Sequence, residues 1–369
     1  MKILIFTWRD IKNPKAGGSE VYFHELAKRW VLMRNEVYWI CAGWNNCKKE
    51  EILDGIKIRR VGGELSLYLL APLAYLKLKD KPDVIIDNEN GIPFFTPLFS
   101  NKKKFLHIHH DHRHIWKTQT ENRGVLYRLL GAAGYFLEMK VMPWVYKNVK
   151  IITISDGSAK DIKRDFAGKI SGIVNPGINF VKYRKFSKEK KPLVLFLNRI
   201  KKYKGVKTLL DAIRTLNNEG KIKSLQVLIA GDGDDLLEMK NYTKNKNIGN
   251  VKFLGRISEE KKKELMQKAW VFINPSSKEG WGIVNIEANY FGTPVIGSNV
   301  SGIRDSVINK KTGLLFEYNN SKDLARKIEF IIVNNERRLK MGKNAKMWAS
   351  KFDWDDKARQ YLNILKSLD

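Results

Sequence analysis

The chain has 369 residues, 43% hydrophobic and 11% aromatic, which is enough apolar material for more than one core and excludes a disordered chain. Lys and Arg number 68 against 39 Asp and Glu, a formal net charge of +29 that excludes an ordinary neutral surface and points to polyanionic partners: nucleic acid, anionic lipid or phosphate-bearing substrates. Cys41 and Cys47 are the only cysteines, too few for a disulfide framework or a structural zinc site, as expected of a reduced compartment.

Ile3-Leu4-Ile5-Phe6, directly after Met1-Lys2, is too short for a signal-peptide core and reads as a first strand, Lys2–Phe6. Further strands are expected at Glu36–Cys41, Asp83–Ile86, Lys104–Ile108, Lys150–Ile154, Leu193–Leu197, Leu225–Ala230, Val251–Leu254, Trp270–Ile273 and Pro294–Ile296. Amphipathic segments lie between many of them. In Val206–Leu216, apolar Val206, Leu209, Leu210, Ile213 and Leu216 recur at helical spacing. Strand–helix alternation with continuously apolar strands predicts parallel sheets covered on both faces. No apolar run reaches the ~18–20 residues of a membrane-spanning helix. The charged stretch Phe180–Pro192 ends in proline and reads as a linker, dividing the chain into two α/β domains, 1–185 and 186–352, with a cleft between them.

Gly17-Gly18-Ser19-Glu20 follows the first strand and opens a helical segment. Glycines permit close backbone approach, and a helix start offers N–H groups to an anion. Next comes a histidine cluster: His107, His109, His110, His112 and His114 hold five of the six histidines. On extended backbone, His107 and His109 face one way and the other three the opposite way. Imidazoles there suit a sugar or phosphate better than a metal. Asn198-Arg199 follows the strand Leu193–Leu197, and Lys204-Gly205 begins the next helix. A guanidinium fork and a compact ammonium together suit a diphosphate. Farther on, Glu279-Gly280-Trp281-Gly282 leads towards Glu287. Glu279 is read as lying just before a helix and Glu287 about two turns into it, a separation of ~12 Å that suits carboxylates accepting from vicinal hydroxyls at two ends of one ligand. Gly231-Asp232-Gly233 does not extend to a full dinucleotide fingerprint.

In this order, Asn198-Arg199 … Lys204-Gly205, Glu279 … Glu287 and Gly292-Thr293-Pro294-Val295-Ile296 resemble the family 4 (group 1) retaining glycosyltransferases. The resemblance implies the GT-B fold, two Rossmann-like parallel-sheet domains facing a central cleft, with a C-terminal helix near 353–369 packing back on the first domain. It implies that Arg199 and Lys204 bind the donor diphosphate. Glu279 would contact the sugar beside backbone N–H groups near Gly280, Trp281 and Gly282, and Glu287 would hold the ribose hydroxyls. Gly255 and Arg256 would line the base pocket, and Gly17 and Gly18 would lie against the donor from the first domain. Either His109 or His110 would reach the transferred sugar. Departures are Asn198 where the family commonly has Gly, Trp281 where it has Phe or Tyr, and Asp305 where it has Glu.

The implied activity is metal-independent, retaining transfer of a hexose from a nucleoside-diphosphate sugar, UDP favoured over GDP, to a glycan or lipid-linked acceptor. The nucleotide sugar is a co-substrate, and no cofactor is expected. Apolar residues 64–78 and 124–146, the latter with Val125, Leu129, Tyr135, Leu137, Val141, Met142, Trp144 and Val145 between Arg123, Arg128, Lys140 and Lys147, read either as core helices or as a face on an anionic membrane surface. A cytoplasmic protein, peripheral on the inner face of the membrane, is the corresponding expectation. The alternatives are a nucleotide-sugar epimerase, a phosphorylase, or a silent nucleic-acid-binding protein. Nucleic acid is disfavoured, because the charge is spread evenly and no aromatic–basic recognition motif is present.

Overall fold

The computed structural model describes residues 1–110, 116, 124–166, 169–180 and 185–366. His112, His114, Arg123 and residues 181–184 of the expected linker lie outside them, as does the side chain of Val125. The chain forms two compact units, Met1–Gly177 with Trp354–Asp369, and Ile178–Asp353.

The boundary falls earlier than the 185/186 read from the charged stretch, because residues 186–189 of it are packed onto the second unit. Phe186 N–H donates to Gln267 Oε1 (3.1 Å), Glu189 N–H to Lys268 O (3.0 Å) and Lys188 Nζ to Ala269 O (2.6 Å). Ile178 N–H donates to Phe352 O (2.7 Å), so the two ends of the second unit are paired.

The first unit is built on eight strands: β1 (Lys2–Phe6), β2 (Glu36–Cys41), β3 (Glu50–Leu53), β4 (Ile56–Arg60), β5 (Val84–Glu89), β6 (Lys103–Ile108), β7 (Lys150–Thr153) and β8 (Ile170–Ile173). Their order is β3-β4-β2-β1-β5-β6-β7-β8, all parallel except β3 against β4. Ile3 to Phe6 are fully buried, as a strand covered on both faces requires. Helix Gly18–Leu32 buries Tyr22, Phe23, Leu26, Ala27 and Trp30 at helical spacing. Helix Trp354–Lys366 answers with Trp354, Ala358, Tyr361, Leu362 and Leu365. The two lock through Trp30 Nε1–H to Ala358 O (3.0 Å) and Tyr361 against Phe23 and Trp30.

The second unit holds β9 (Leu193–Leu197), β10 (Gln226–Ala230), β11 (Val251–Gly255), β12 (Val271–Asn274), β13 (Val295–Ser298) and β14 (Gly313–Phe316). Their order is β11-β10-β9-β12-β13-β14, and all pairs are parallel. Side chains alternate between two cores: Val194, Phe196, Val271 and Ile273 enter one, and Leu193, Leu195 and Phe272 the other. Helix Val206–Glu219 covers the first face with the five apolar residues read from its spacing.

Each sheet reverses direction once, between β1 and β5 in the first unit and between β9 and β12 in the second. Loops diverge at such a switch point, and the crevice outside the carboxyl ends of the strands is where ligands bind in open α/β sheets.

Candidate functional site

At the switch point of the second unit, residues following β9 meet residues following β12. Lys204 Nζ donates to Glu279 Oε1 at 2.6 Å, and the two side chains are 8% and 14% exposed. Ser276 Oγ donates to the same oxygen at 2.9 Å and Asn198 Nδ2 at 3.4 Å. Ser276 Oγ also lies 2.8 Å from Asn274 Oδ1, so its single hydrogen is shared between that oxygen and Glu279 Oε1; Asn274 Nδ2 donates to Asn285 Oδ1 (2.9 Å), and Asn285 Nδ2 to Ser306 Oγ (2.9 Å). A polar chain thus runs from Ser306 to Lys204 through residues buried at both its ends. Such networks rigidify a site when every member is satisfied.

Glycines set how closely these loops approach. A Cβ on Gly205 (φ +72°) would lie 2.2 Å from Pro275 O, and one on Gly302 (φ +79°) 2.0 Å from Glu279 O. Gly231 stands equally close to Asn198, where a Cβ would lie 1.9 Å from its carbonyl oxygen. Helix Ile283–Tyr290 starts at Gly282 (φ +77°), behind Trp281, which is 4% exposed and packs edge-on against Phe352 at 5.3 Å. Gly280 is buried as well.

Glu287 departs from expectation. It is the fifth residue of that helix, and the chain from Glu279 to Gly282 is not helical, so a helical rise does not measure the separation of the two glutamates. Its carboxylate pairs with Lys262 Nζ at 2.9 Å, which raises the lysine's pKa despite the opposing effect of burial. Arg199 is exposed beyond β9; Gly255 ends β11, and Arg256 is exposed after it. The structure therefore brings Asn198, Lys204 and Glu279 together and leaves Glu287 tied to Lys262.

In the first unit, Gly17 caps helix Gly18–Leu32, with its N–H donating to Glu20 Oε2 (2.7 Å). A Cβ on Gly18 would meet no protein atom within 4 Å, so internal packing does not demand a glycine there. His109, 7% exposed and just past β6, brings Nε2 within 2.9 Å of Ser19 Oγ. Asn88, at the end of β5, donates to Ser19 Oγ (3.1 Å) and Thr7 Oγ1 (2.9 Å). After this donation the Ser19 hydroxyl keeps one lone pair and its hydrogen, so it can serve either tautomer of His109. The strand pattern thus splits the histidines: His107 is fully buried against Tyr361 OH (3.1 Å), His109 meets the helix start, and His110 is half-buried. Burial, with His109 nearby, drives the pKa of His107 well below the usual histidine range. Among the described residues no group of three or more His, Cys, Asp or Glu is arranged to hold a metal ion.

Ser19, Asn88, Asn274, Ser276 and Asn285 were not singled out by the sequence pattern. Ser276 sits in a small-polar loop after an apolar strand, the only signal it carries. The apolar segments are partly surface: Leu65, Leu69, Leu73 and Leu76 are more than half exposed, as are Leu129, Phe136 and Trp144. Met142, expected on that face, is instead core, packed with Leu106, Ile108 and Tyr146. No helix among the described residues is long and apolar enough to cross a membrane.

Residues 16–180 match the model of Glycosyltransferase Family 4, and residues 179–348 that of Glycosyl transferases group 1. An uncharacterized glycosyltransferase of Methanocaldococcus jannaschii is 34% identical over 161 residues, 44% of either chain. The N,N'-diacetylbacillosaminyl-diphospho-undecaprenol alpha-1,3-N-acetylgalactosaminyltransferase of Campylobacter jejuni is 30% identical over 177 residues, 48% of this chain and 45% of the relative. The chain thus spans less than half the length of either relative. Among solved structures, Anabaena HepE in complex with UDP-glucose superposes with a TM-score of 0.78 at 19% identity, covering 100% of both chains. Its likeness extends the GT-B fold over both units, and with both family models matched the chain belongs to the family 4, group 1 glycosyltransferases.

Proposed function

We propose that this chain is a retaining hexosyltransferase that uses a nucleoside-diphosphate sugar, with UDP favoured and GDP second. The observation that carries the reading is the Lys204–Glu279 pair held at the switch point of the second unit. In it Lys204 and the exposed fork of Arg199 neutralise the leaving diphosphate, and the start of helix Ile283–Tyr290 adds its N–H groups. Glu279 accepts from the sugar. Gly255 and Arg256 border the base, and Glu287 holds ribose hydroxyls once it is released from Lys262. These fixed positive groups do the work of a metal. Attack on the face that the diphosphate leaves, with the departing phosphate taking the acceptor proton, accounts for retention without a covalent nucleophile. HepE, solved with UDP-glucose, supports the donor class.

The first unit is assigned the acceptor. Gly17 and Gly18 approach the donor there, and His109 contacts the transferred sugar. The acceptor is a lipid-linked glycan reached by peripheral binding to the inner, anionic membrane face. The Campylobacter relative, named for a diphospho-undecaprenol substrate, supports this. So do exposed Leu65, Leu69, Leu73 and Leu76 beside basic Lys77, Lys79 and Lys81. The test is transfer from UDP-glucose, UDP-N-acetylhexosamines or GDP-mannose to a polyprenyl-diphosphate glycan in EDTA, with the anomer read by NMR. An α-linked product from an α-donor is expected. Conversion of donor alone, or a requirement for free phosphate, would replace transfer with epimerisation or phosphorolysis. Flotation with anionic vesicles tests the membrane part, and failure to float would remove it.

A further inference from the structure

We propose that Asn198 is a specificity-determining positioning residue that orients Glu279 towards the transferred sugar. The inference rests on the donor-binding reading above.

Three donor groups converge on one oxygen of Glu279: Lys204 Nζ at 2.6 Å, Asn198 Nδ2 at 3.4 Å, and Ser276 Oγ at 2.9 Å, whose single hydrogen is shared with Asn274 Oδ1. All three reach Oε1. Oε2 has no hydrogen-bond or ion-pair partner among the described residues. A carboxylate offers about four acceptor positions, two on each oxygen. Filling Oε1 fixes the rotation of the group and presents Oε2 as the acceptor for a hydroxyl.

Lys204 and Ser276 approach from two loops, and Asn198 supplies a third direction. Three contacts from separate segments define the plane of a carboxylate better than two. The rest of Asn198 is immobilised for this job. Its N–H donates to Ala230 O (3.2 Å), and its carbonyl is crowded by Gly231, where a Cβ would lie 1.9 Å away. Its Oδ1 accepts from Arg199 N–H at 2.9 Å, which fixes the amide so that Nδ2 faces Glu279. The Glu279 backbone is approached as closely by Gly302, where a Cβ would lie 2.0 Å from its carbonyl oxygen. Both ends of the contact therefore lie on backbone that a glycine approaches closely. A glycine at position 198 would leave the phosphate-side loop in place and remove the link to the sugar-side carboxylate.

Asn198 does two things, and two variants separate them. Asn198→Asp keeps an acceptor for Arg199 N–H but cannot donate to Glu279, and it sets a second carboxylate against the first. Asn198→Gly loses both contacts. Isothermal titration of wild type and both variants would use UDP and UDP-glucose, with GDP and GDP-mannose run beside them. The loss of a hydrogen bond to a charged group predicts about tenfold weaker binding of the nucleotide sugar in both variants. The free nucleoside diphosphate should bind within about twofold of wild type, and donor discrimination should relax. Ser276→Ala, which removes another donor to the same oxygen, should show the same split.

Equal losses for nucleotide and nucleotide sugar would make Asn198 a support of the phosphate loop and overturn the proposal. Wild-type sugar affinity in Asn198→Asp would assign it only the Arg199 contact, with the same consequence. If wild type binds neither pair, the donor-binding reading itself falls and takes the inference with it.

Discussion

Replacing Lys204 by methionine keeps most of the side-chain volume and removes the cation from Glu279. Breaking a fully buried ion pair costs about 3–5 kcal/mol, and an exposed pair contributes about 0–1. The Lys204–Glu279 pair lies between these limits but nearer the first: Lys204 is 6% exposed as a residue, the contact is 2.6 Å, and Glu279 keeps 14% side-chain exposure. Ser276 and Asn198 still donate to Oε1 after the change. These two contacts and the water-accessible side of the carboxylate reduce the expected loss to about 2 kcal/mol, or about 4–8 °C in Tm for a unit of this size. Glu279→Gln leaves the buried ammonium without its charge partner and should cost a similar amount. The double variant should cost less than the sum of the two, with a coupling of about 1–2 kcal/mol. Urea unfolding followed by the fluorescence of Trp270, Trp281 and Trp348 reports on the second unit. A coupling near zero would refute the pair as an energetic unit.

Other predictions concern the histidines and the entry to the second sheet. His109→Ala should lower transfer by about tenfold or more, because it loses a polar contact at the helix start, whereas His110→Ala should stay within about threefold; steady-state kinetics separate them. His107 is buried with its pKa depressed, so the unfolded chain takes up its proton first, near the usual value of about 6.5. Stability should be full above that pH and fall as pH drops below it. His107→Gln should flatten this slope in acid titrations of Tm, and an unchanged slope would contradict the assignment. Lys188 is exposed as a residue, but its ammonium is tucked against Ala269 O and Thr293 Oγ1, and desolvation there, then Lys346 and Arg338, lowers its pKa to about 7. Between about pH 7 and 10.5 the unfolded chain holds the extra proton, so stability should rise with pH, by well under the limit of about 1.4 kcal/mol per unit because solvent screens a residue this exposed. Lys188→Met should remove that rise in denaturant titrations at pH 7 and pH 10.

Central strands were legible because burial on both faces forces continuous apolar runs such as Leu193–Leu197. Edge strands were less so, although β11 was expected. β3 and β4 read Glu-Glu-Ile-Leu and Ile-Lys-Ile-Arg-Arg, half exposed and charged, and only the Asp54-Gly55 turn, both residues at positive φ, marks the hairpin. β8 (Ile-Ser-Gly-Ile) and β14 (Gly-Leu-Leu-Phe) were missed for a different reason: each is four residues long and includes a glycine, too short a run to stand out. In the site, charged residues flanking glycines were visible as Lys204 and Glu279. Their neutral supports were not, since Ser276, Asn88 and Asn274 gain meaning only when two strand ends converge. Glu287 shows the reverse case: its spacing from Glu279 was correct, but the helix it was measured along begins only at Ile283. The different settings of His109 and His110 follow from the point where β6 ends, Ile108, and from the position of Ser19, neither of which the sequence pattern supplies.

The central claim, that the second unit binds a nucleoside-diphosphate sugar through Lys204 and Glu279, is tested most directly by thermal shift. Wild type and Lys204→Met would be heated with UDP, GDP and ADP and with the corresponding sugars. Ligand at about a hundred times its Kd stabilises the native state by about 2.7 kcal/mol. One nucleotide class should raise Tm by several degrees in wild type, and by much less in Lys204→Met. No shift with any of them, or equal shifts in both proteins, would contradict the claim.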